Sequence, residues 1–204
     1  MRLSPKLLTF GFALGIVAMP ALLDAQAAAP APNRTGNPAN ALAIGSMAPD
    51  FEVPGSTRYG PLARPIHLSD FKGKTVVIAF FPKARTRGCT IQMRTYRDDY
   101  ENLFDAGRDV VLIAISTDPQ EEQWTWARDE QFQFLFGADP EGKVVKQYGA
   151  TREAAGSARF LYVIDPAGKV AYHATPFVET DPTSYEGLAS EVKKVITHTT
   201  TGAI

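Results

Sequence analysis

The chain has 204 residues, with 21 Lys and Arg against 22 Asp and Glu, and a formal net charge of −1. This length suits one domain with a tail, and the 45% hydrophobic and 21% charged residues are typical of a globular protein. The balanced charge argues against a nucleic acid as partner. Cys89 is the one cysteine, which excludes a disulfide within the chain, a Cys-x-x-Cys redox pair and a multi-cysteine zinc site.

Residues 1–27 have the pattern of an export signal. Arg2 and Lys6 precede an uncharged apolar stretch from Leu7 to Leu23, and Asp24–Ala27 supplies the small residues that a signal peptidase requires. Residues that break helices interrupt the stretch and disfavour a membrane-spanning helix, namely Gly11, Gly15 and Pro20. We expect a cleaved signal peptide over residues 1–27 and a periplasmic protein. The alternative is an uncleaved membrane anchor that faces the periplasm.

Residues 28–43 are mostly Ala, Pro, Asn and Gly, with few large apolar side chains. Such a composition predicts a flexible linker. The folded domain is therefore predicted over residues 44–204.

Two continuous β-prone apolar runs, Val76–Phe81 and Val110–Ile115, predict central strands covered on both faces. Between them, side chains spaced by 4, 3, 4 and 3 residues predict one face of a single helix: Cys89, Met93, Tyr96, Tyr100 and Leu103. Strand, helix and strand of this length indicate a βαβ crossover in a parallel sheet.

The rest of the chain predicts two further helices and a hairpin. Pro119–Gln131 begins with proline followed by acidic residues, as helices do. Phe160–Ile164 and the strand after it flank the turn Asp165–Gly168, which predicts a β-hairpin. Ser184–Thr197 has apolar residues at helical spacing. The predicted class is α/β with a sheet of mixed direction.

The segment from Phe81 to Thr90 places Cys89 in the first turn of a helix, just after a buried strand. The carboxyl ends of parallel strands are common ligand sites, and a helix N-terminus favours the thiolate, which is the nucleophilic form. Nearby cations add to this effect: Lys83, Arg85, Arg87 and Arg94. The alternative is structural, since Cys89 lies on an apolar stripe and free cysteine is often a small buried hydrophobe.

Two neighbours of Cys89 have both structural and catalytic interpretations. Thr86 suits a helix N-cap whose hydroxyl accepts from a backbone N–H, but the hydroxyl is also placed to bond the sulfur or an incoming oxygen. Pro82 is either a strand terminator or part of a catalytic pocket.

The pattern Pro-x-x-x-Thr-x-x-Cys, formed by Pro82, Thr86 and Cys89, resembles the active-site signature of peroxiredoxins. The fuller string is most similar to the bacterioferritin-comigratory or PrxQ-type branch of the AhpC/TSA superfamily. Four other segments also resemble this family: Ala48–Phe51, Leu68–Lys74, Ile115–Asp118 and Arg159–Asp165. The resemblance implies a thioredoxin-like fold with a mixed central sheet flanked by helices. It also implies a thiol-dependent peroxidase that reduces hydrogen peroxide or organic hydroperoxides.

The resemblance assigns roles to individual residues. Cys89 is then the nucleophile that becomes a sulfenic acid, and Pro82 shields the pocket from water. Thr86, Gly88 and Arg159 bind the peroxide, and Arg159 also stabilises the thiolate. Without the resemblance, an Arg at the start of a strand is more often a surface charge. Neither a cofactor nor a metal is implied.

The chain departs from the branch in having Arg94 where many members place a resolving cysteine, and Arg87 where a proline is common. A one-cysteine cycle follows, in which a thioredoxin-like protein, glutathione or another low-molecular-weight thiol reduces the sulfenic acid. Cys89 of another subunit is a further possibility, and the expected state is a monomer or a homodimer.

Three other functions are open for a protein of the cell envelope. Thiol–disulfide exchange conflicts with the missing Cys-x-x-Cys pair. A metal carrier would use Met93 as a second soft ligand, although core packing is the preferred interpretation of Met93. The histidines are scattered without ligand spacing: His67, His173 and His198. A chaperone-like binding module is the third alternative.

Overall fold

A computed structural model describes residues 36–152 and 156–201. The strands are β1 Glu52–Val53, β2 Gly55–Thr57, β3 Gly60–Pro61, β4 Ile66–His67, β5 Thr75–Phe80, β6 Val110–Ser116, β7 Leu135–Ala138, β8 Leu161–Ile164 and β9 Val170–Ala174. The α-helices are α1 Arg87–Asp98, α2 Tyr100–Phe104, α3 Gln120–Asp129, α4 Lys143–Gln147 and α5 Pro182–Thr201. Among the described residues, no helix is both long and apolar enough to cross a membrane.

The central sheet has the strand order β3-β2-β7-β6-β5-β8-β9, and β1 pairs with β4 separately. Strand β5 is parallel to β6 and antiparallel to β8, and β8 is antiparallel to β9. These pairings confirm the predicted βαβ crossover, the hairpin and the mixed sheet. The short strands β1–β4 and β7 and the short helix α4 were not predicted, because each is too brief to show a period.

Strand β5 is buried at every position because a separate apolar cluster covers each face. Val77 and Ala79 belong to the cluster that also holds Cys89, whereas Val76 and Ile78 belong to the other cluster. This burial on both faces explains why the sequence of the strand is a continuous apolar run without alternation.

The prediction of one helix from Cys89 to Leu103 is wrong. Helix α1 ends before Asp99, whose φ of −111° and ψ of 29° are not helical, and α2 follows. The apolar stripe nevertheless continues, since Cys89, Met93 and Leu103 are all buried in the same cluster. Both helices face that cluster, so the spacing of apolar residues contains no sign of the break.

The prediction of a flexible linker does not hold for its last eight residues, 36–43. Residues Pro38–Asn40 form a 3-10 turn, and the backbone N–H of Leu42 donates to the hydroxyl of Tyr162 at 3.3 Å. Gly36 is buried and packs tightly against Ala158. A Cβ added at Gly36 would lie only 2.7 Å from the Cβ of Ala158. Backbone contacts and small residues hold this segment, which explains why composition missed it. Residues 1–35, including the predicted signal peptide, lie outside the described residues.

Candidate active site

Cys89 is the third residue of α1, directly after the loop that leaves β5. The carboxylate of Asp118, two residues after the end of β6, holds this loop in place. The backbone N–H of Ala84 donates to Asp118 Oδ2 at 2.7 Å. The hydroxyl of Ser116 donates to the same oxygen at 2.8 Å. Asp118 is buried and connects the carboxyl ends of the two parallel strands. Sequence reasoning noted this segment only as part of a resemblance and missed its supporting contact.

The structure brings Arg159 to Cys89 across 70 positions of sequence. Arg159 Nη2 donates to Cys89 Sγ at 3.5 Å, and the sulfur is fully buried. The contact follows from topology: β8 begins just after Arg159 and runs antiparallel to β5, so its start lies beside the carboxyl end of β5. The expectation that a guanidinium converges on the sulfur therefore agrees with the geometry.

The guanidinium of Arg159 has a different partner at each nitrogen. While Nη2 contacts the sulfur, Nη1 donates to Gln92 Oε1, and Nε pairs with Glu179 Oε2 at 3.0 Å. Gln92 is itself fully buried, and its Nε2 donates to the hydroxyl of Tyr96 at 2.7 Å. Burial raises the pKa of Tyr96 far above its ordinary value, so this hydroxyl stays neutral.

Sequence reasoning missed both Gln92 and Glu179. Gln92 could have been recognised from the sequence, because it is a polar residue three positions after Cys89 and therefore lies on the otherwise apolar face of α1. No sequence pattern pointed to Glu179, because it lies in the segment between β9 and α5, far along the chain from Cys89.

Gly88 makes room for this arrangement. A Cβ at position 88 would collide with Glu179 Oε1 and would lie 3.1 Å from Arg159 Nη2. The missing side chain therefore lets an ion pair approach the backbone at the start of α1. Gly88 was predicted to bind substrate, and the structure places it at the wall of a pocket.

Thr86 occupies the N-cap position of α1 with extended backbone, at φ −77° and ψ 154°. Its hydroxyl does not cap the helix within the described part of the chain. The hydroxyl instead donates to the carbonyl of Lys83 at 2.8 Å. The predicted N-cap hydrogen bond is therefore wrong: the hydroxyl bonds back into the preceding loop, and its oxygen keeps lone pairs for another donor.

Two of the predicted nearby cations point away from the sulfur. Arg85 pairs with Glu122 at 3.0 Å and with Asp129 at 2.7 Å, both on α3. Arg94 makes a bidentate contact with Glu130, in which Nε donates to Oε2 and Nη2 donates to Oε1, each at 2.8 Å. Since each guanidinium faces a carboxylate, their net field at the thiol is smaller than the sequence suggested.

A pocket of about 440 Å³ lies beside Arg159, the residue that contacts the sulfur. It is lined by Pro82, Gly88, Arg152, Arg159, Pro176, Phe177, Val178 and Glu179. Arg159 is both a lining residue and the contact of Cys89 Sγ, so the pocket reaches the layer of side chains that covers the thiol. Pro82 is one of the lining residues, and its role in shielding the pocket stays a prediction.

Met93 is fully buried in the apolar cluster around Cys89, in agreement with the preferred interpretation of core packing. Over residues 36–152 and 156–201, His, Cys, Asp and Glu form no group of three that could hold a metal ion.

Residues 44–173 match the family model described as the AhpC/TSA family. The chain is 34% identical over 140 residues to peroxiredoxin Bcp of Escherichia coli K12, covering 65% of this chain and 85% of that protein. It is 35% identical over 155 residues to chloroplastic peroxiredoxin Q of Triticum aestivum, covering 73% and 68%. The crystal structure of peroxidoxin BcpB from Mycobacterium tuberculosis aligns with a TM-score of 0.63 at 26% identity, covering 74% and 97%.

The mixed sheet flanked by helices is the thioredoxin-like fold of peroxiredoxins, as predicted. The chain belongs to the AhpC/TSA family. The predicted resemblance to the Bcp and PrxQ branch is likewise confirmed, here in a chain with a single cysteine.

Proposed function

We propose that this protein is a thiol-dependent peroxidase that reduces hydrogen peroxide or an organic hydroperoxide through Cys89. The observation that carries the proposal is the 3.5 Å contact between Arg159 Nη2 and Cys89 Sγ. A guanidinium donating to sulfur favours the thiolate over the thiol, and the thiolate is the form that attacks a peroxide. Membership of the AhpC/TSA family supports peroxidase chemistry over thiol–disulfide exchange, metal transport or chaperone-like binding.

The reaction begins as a displacement at oxygen. The Cys89 thiolate attacks the terminal oxygen of R–O–O–H and forms an S–O bond while the O–O bond breaks. The leaving alkoxide, or hydroxide when the substrate is hydrogen peroxide, takes up a proton. Sulfur is oxidised to the sulfenic acid S–OH, and the peroxide is reduced to R–OH.

Arg159 is the residue best placed to assist this step. Negative charge moves from sulfur to the leaving oxygen, and fixed donors aimed at that charge stabilise the transition state. Arg159 already contacts the sulfur and lines the pocket through which a peroxide approaches. We assign substrate binding to Thr86, Gly88 and Arg159, and shielding from water to Pro82.

Return to the resting thiol takes two equivalents of an external thiol. The first forms a mixed disulfide with Cys89 and releases water, and the second forms a disulfide with the first and frees Cys89. Because the sulfur is fully buried, the side chains that cover it must move before a peroxide or a thiol reaches it. We propose a thioredoxin-like protein, glutathione or another small thiol as reductant, and a monomer or homodimer as the working state.

The test is a single-turnover assay with the purified protein and no reductant. We expect one equivalent of peroxide to be consumed per chain and one sulfenate to be trapped at Cys89, as measured by mass spectrometry. Cys89→Ser, which replaces the nucleophile with a nearly isosteric hydroxyl, is expected to abolish both. Consumption by this variant at the wild-type rate would contradict the proposal.

We further propose that the protein is exported, with residues 1–27 as a cleaved signal peptide. The support is the basic start, the apolar stretch and the small residues before the predicted cleavage point. Fractionation of expressing bacteria and N-terminal sequencing test this. A periplasmic chain beginning at Ala28 is expected, and a cytoplasmic chain that retains Met1 would contradict it. A full-length chain in the membrane fraction would instead support the anchored alternative.

A further inference from the structure

We propose that Glu179 is a positioning residue for the peroxidase reaction, holding the guanidinium of Arg159 in the orientation that serves Cys89. The inference rests on the proposed function. Glu179 acts through Arg159 rather than on the peroxide, and its contribution is to fix where the guanidinium points.

The first support is the geometry of the ion pair. Glu179 Oε2 lies 3.0 Å from Arg159 Nε, and Glu179 Oε1 lies against the backbone of Gly88. Gln92 accepts from Nη1 on another side of the same planar group. With Nε and Nη1 both held, rotation of the guanidinium is restricted, and Nη2 is directed to the sulfur.

The second support is the way Glu179 itself is held. The backbone N–H of Phe177 donates to the carbonyl of Arg159 at 2.7 Å, and the hydroxyl of Tyr185 donates to the carbonyl of Glu179 at 2.8 Å. The Phe177 ring is buried and packs edge-on against Tyr185 at 5.1 Å. The segment that presents Glu179 is thus attached to Arg159 by its backbone as well as by its carboxylate.

The third support is burial. The side chains of Arg159 and Glu179 are 11% and 23% exposed, whereas Arg85 and Asp129 are 41% and 43% exposed. An ion pair screened so little by water restrains its partners more strongly than a surface pair does. Among the described residues, the other titratable groups around the guanidinium are Arg152 in the same pocket and the hydroxyls of Tyr96 and Tyr185. Burial raises the pKa of both tyrosines, so they stay neutral.

Glu179 has two opposing effects on Cys89, and these make it testable. Its negative charge offsets part of the Arg159 charge and so disfavours the thiolate. Its contacts orient Arg159 and so favour the reaction with peroxide. Removing only the charge is therefore expected to ease ionisation of the thiol while slowing its oxidation, a combination that a loss of fold does not produce.

The experiment compares Glu179→Gln with wild type in two assays on the full protein. Cys89 is expected to be alkylated by iodoacetamide several-fold faster in Glu179→Gln than in wild type at a fixed pH near neutrality, because a nearby negative charge is removed. The rate constant for sulfenate formation with hydrogen peroxide, measured at a pH where the thiol is fully ionised, is expected to fall about 10-fold.

Two further variants separate the causes. Glu179→Asp keeps the negative charge and shortens the side chain by one methylene group, which moves the carboxylate away from Arg159, so the limiting rate is expected to fall without faster alkylation of Cys89. Glu186→Gln makes the same charge change at an exposed position of α5 and is expected to leave both measurements unchanged.

The inference is overturned if Glu179→Gln oxidises within twofold of the wild-type limiting rate, or no more slowly than Glu186→Gln. A wild-type protein that fails to consume peroxide would instead count against the proposed function. In that case the alkylation assay still reports whether the charge of Glu179 acts on Cys89.

Discussion

Two groups of arginines surround the start of α1, and they differ in what they face. Arg85 and Arg94 are close to Cys89 in sequence, are 41% and 52% exposed, and pair with carboxylates of α3 and the residue after it. Arg159 is 70 positions away, is 11% exposed, and contacts the sulfur itself. The nearby arginines therefore attach the loop and helix to α3, and the distant one supplies the cation at the thiol.

The difference shows that proximity in sequence is a poor guide to the field at a buried sulfur. A guanidinium on a helix surface finds the nearest carboxylate, and water screens what remains of its charge. A guanidinium beside the end of a central strand is removed from water, so its interaction with the thiol is stronger. The variants below test this contrast, beginning with the largest expected effect.

Arg159→Ala is expected to slow sulfenate formation by about 100- to 1000-fold, because it removes the donor at the sulfur and at the pocket. Stopped-flow measurement with hydrogen peroxide under single-turnover conditions gives the rate constant. Arg159→Lys is expected to recover only part of this loss, since an ammonium cannot reproduce the three-sided contacts of the guanidinium. If Arg159→Ala reacted like Arg94→Ala, the contrast between the two groups would be wrong.

Arg94→Ala is expected to leave the peroxide rate within twofold of wild type and to lower stability slightly, because the lost ion pair is largely exposed. The stability effect depends on pH in a definite direction. The hydrogen bond from Arg94 lowers the pKa of Glu130 below its ordinary value of 4.5, so the ionised carboxylate is favoured in the folded protein. This contribution is complete above pH 4.5 and is lost as the pH falls through the lowered pKa.

Urea unfolding of wild type and Arg94→Ala over a range of pH measures this contribution. The difference between the two midpoints is expected to be largest near neutral pH and to shrink towards zero in acid. A difference that grows as the pH falls would contradict the ion pair with Glu130.

Much of the fold was predictable from local pattern. The apolar runs of β5 and β6 predicted central strands, and the Pro-Gly turn after Ile164 predicted the hairpin. The failures have a common cause, which is that the missing information was not local. The break at Asp99 leaves the buried stripe intact, and residues 36–43 are held by backbone contacts that their composition does not reveal.

For the site, the sequence alone determined the candidate nucleophile, since Cys89 is the one thiol of the chain and lies in the first turn of a helix after a buried strand. The absence of a second cysteine also predicts that the thiol that resolves the sulfenic acid comes from another subunit or from an external reductant. The resemblance to peroxiredoxins predicted that Arg159 meets that sulfur, and only the tertiary structure showed the contact and what holds the guanidinium in place. Arg159, Gln92 and Glu179 come from three separate elements, and the antiparallel pairing of β8 with β5 and the packing of the loop before α5 bring them together.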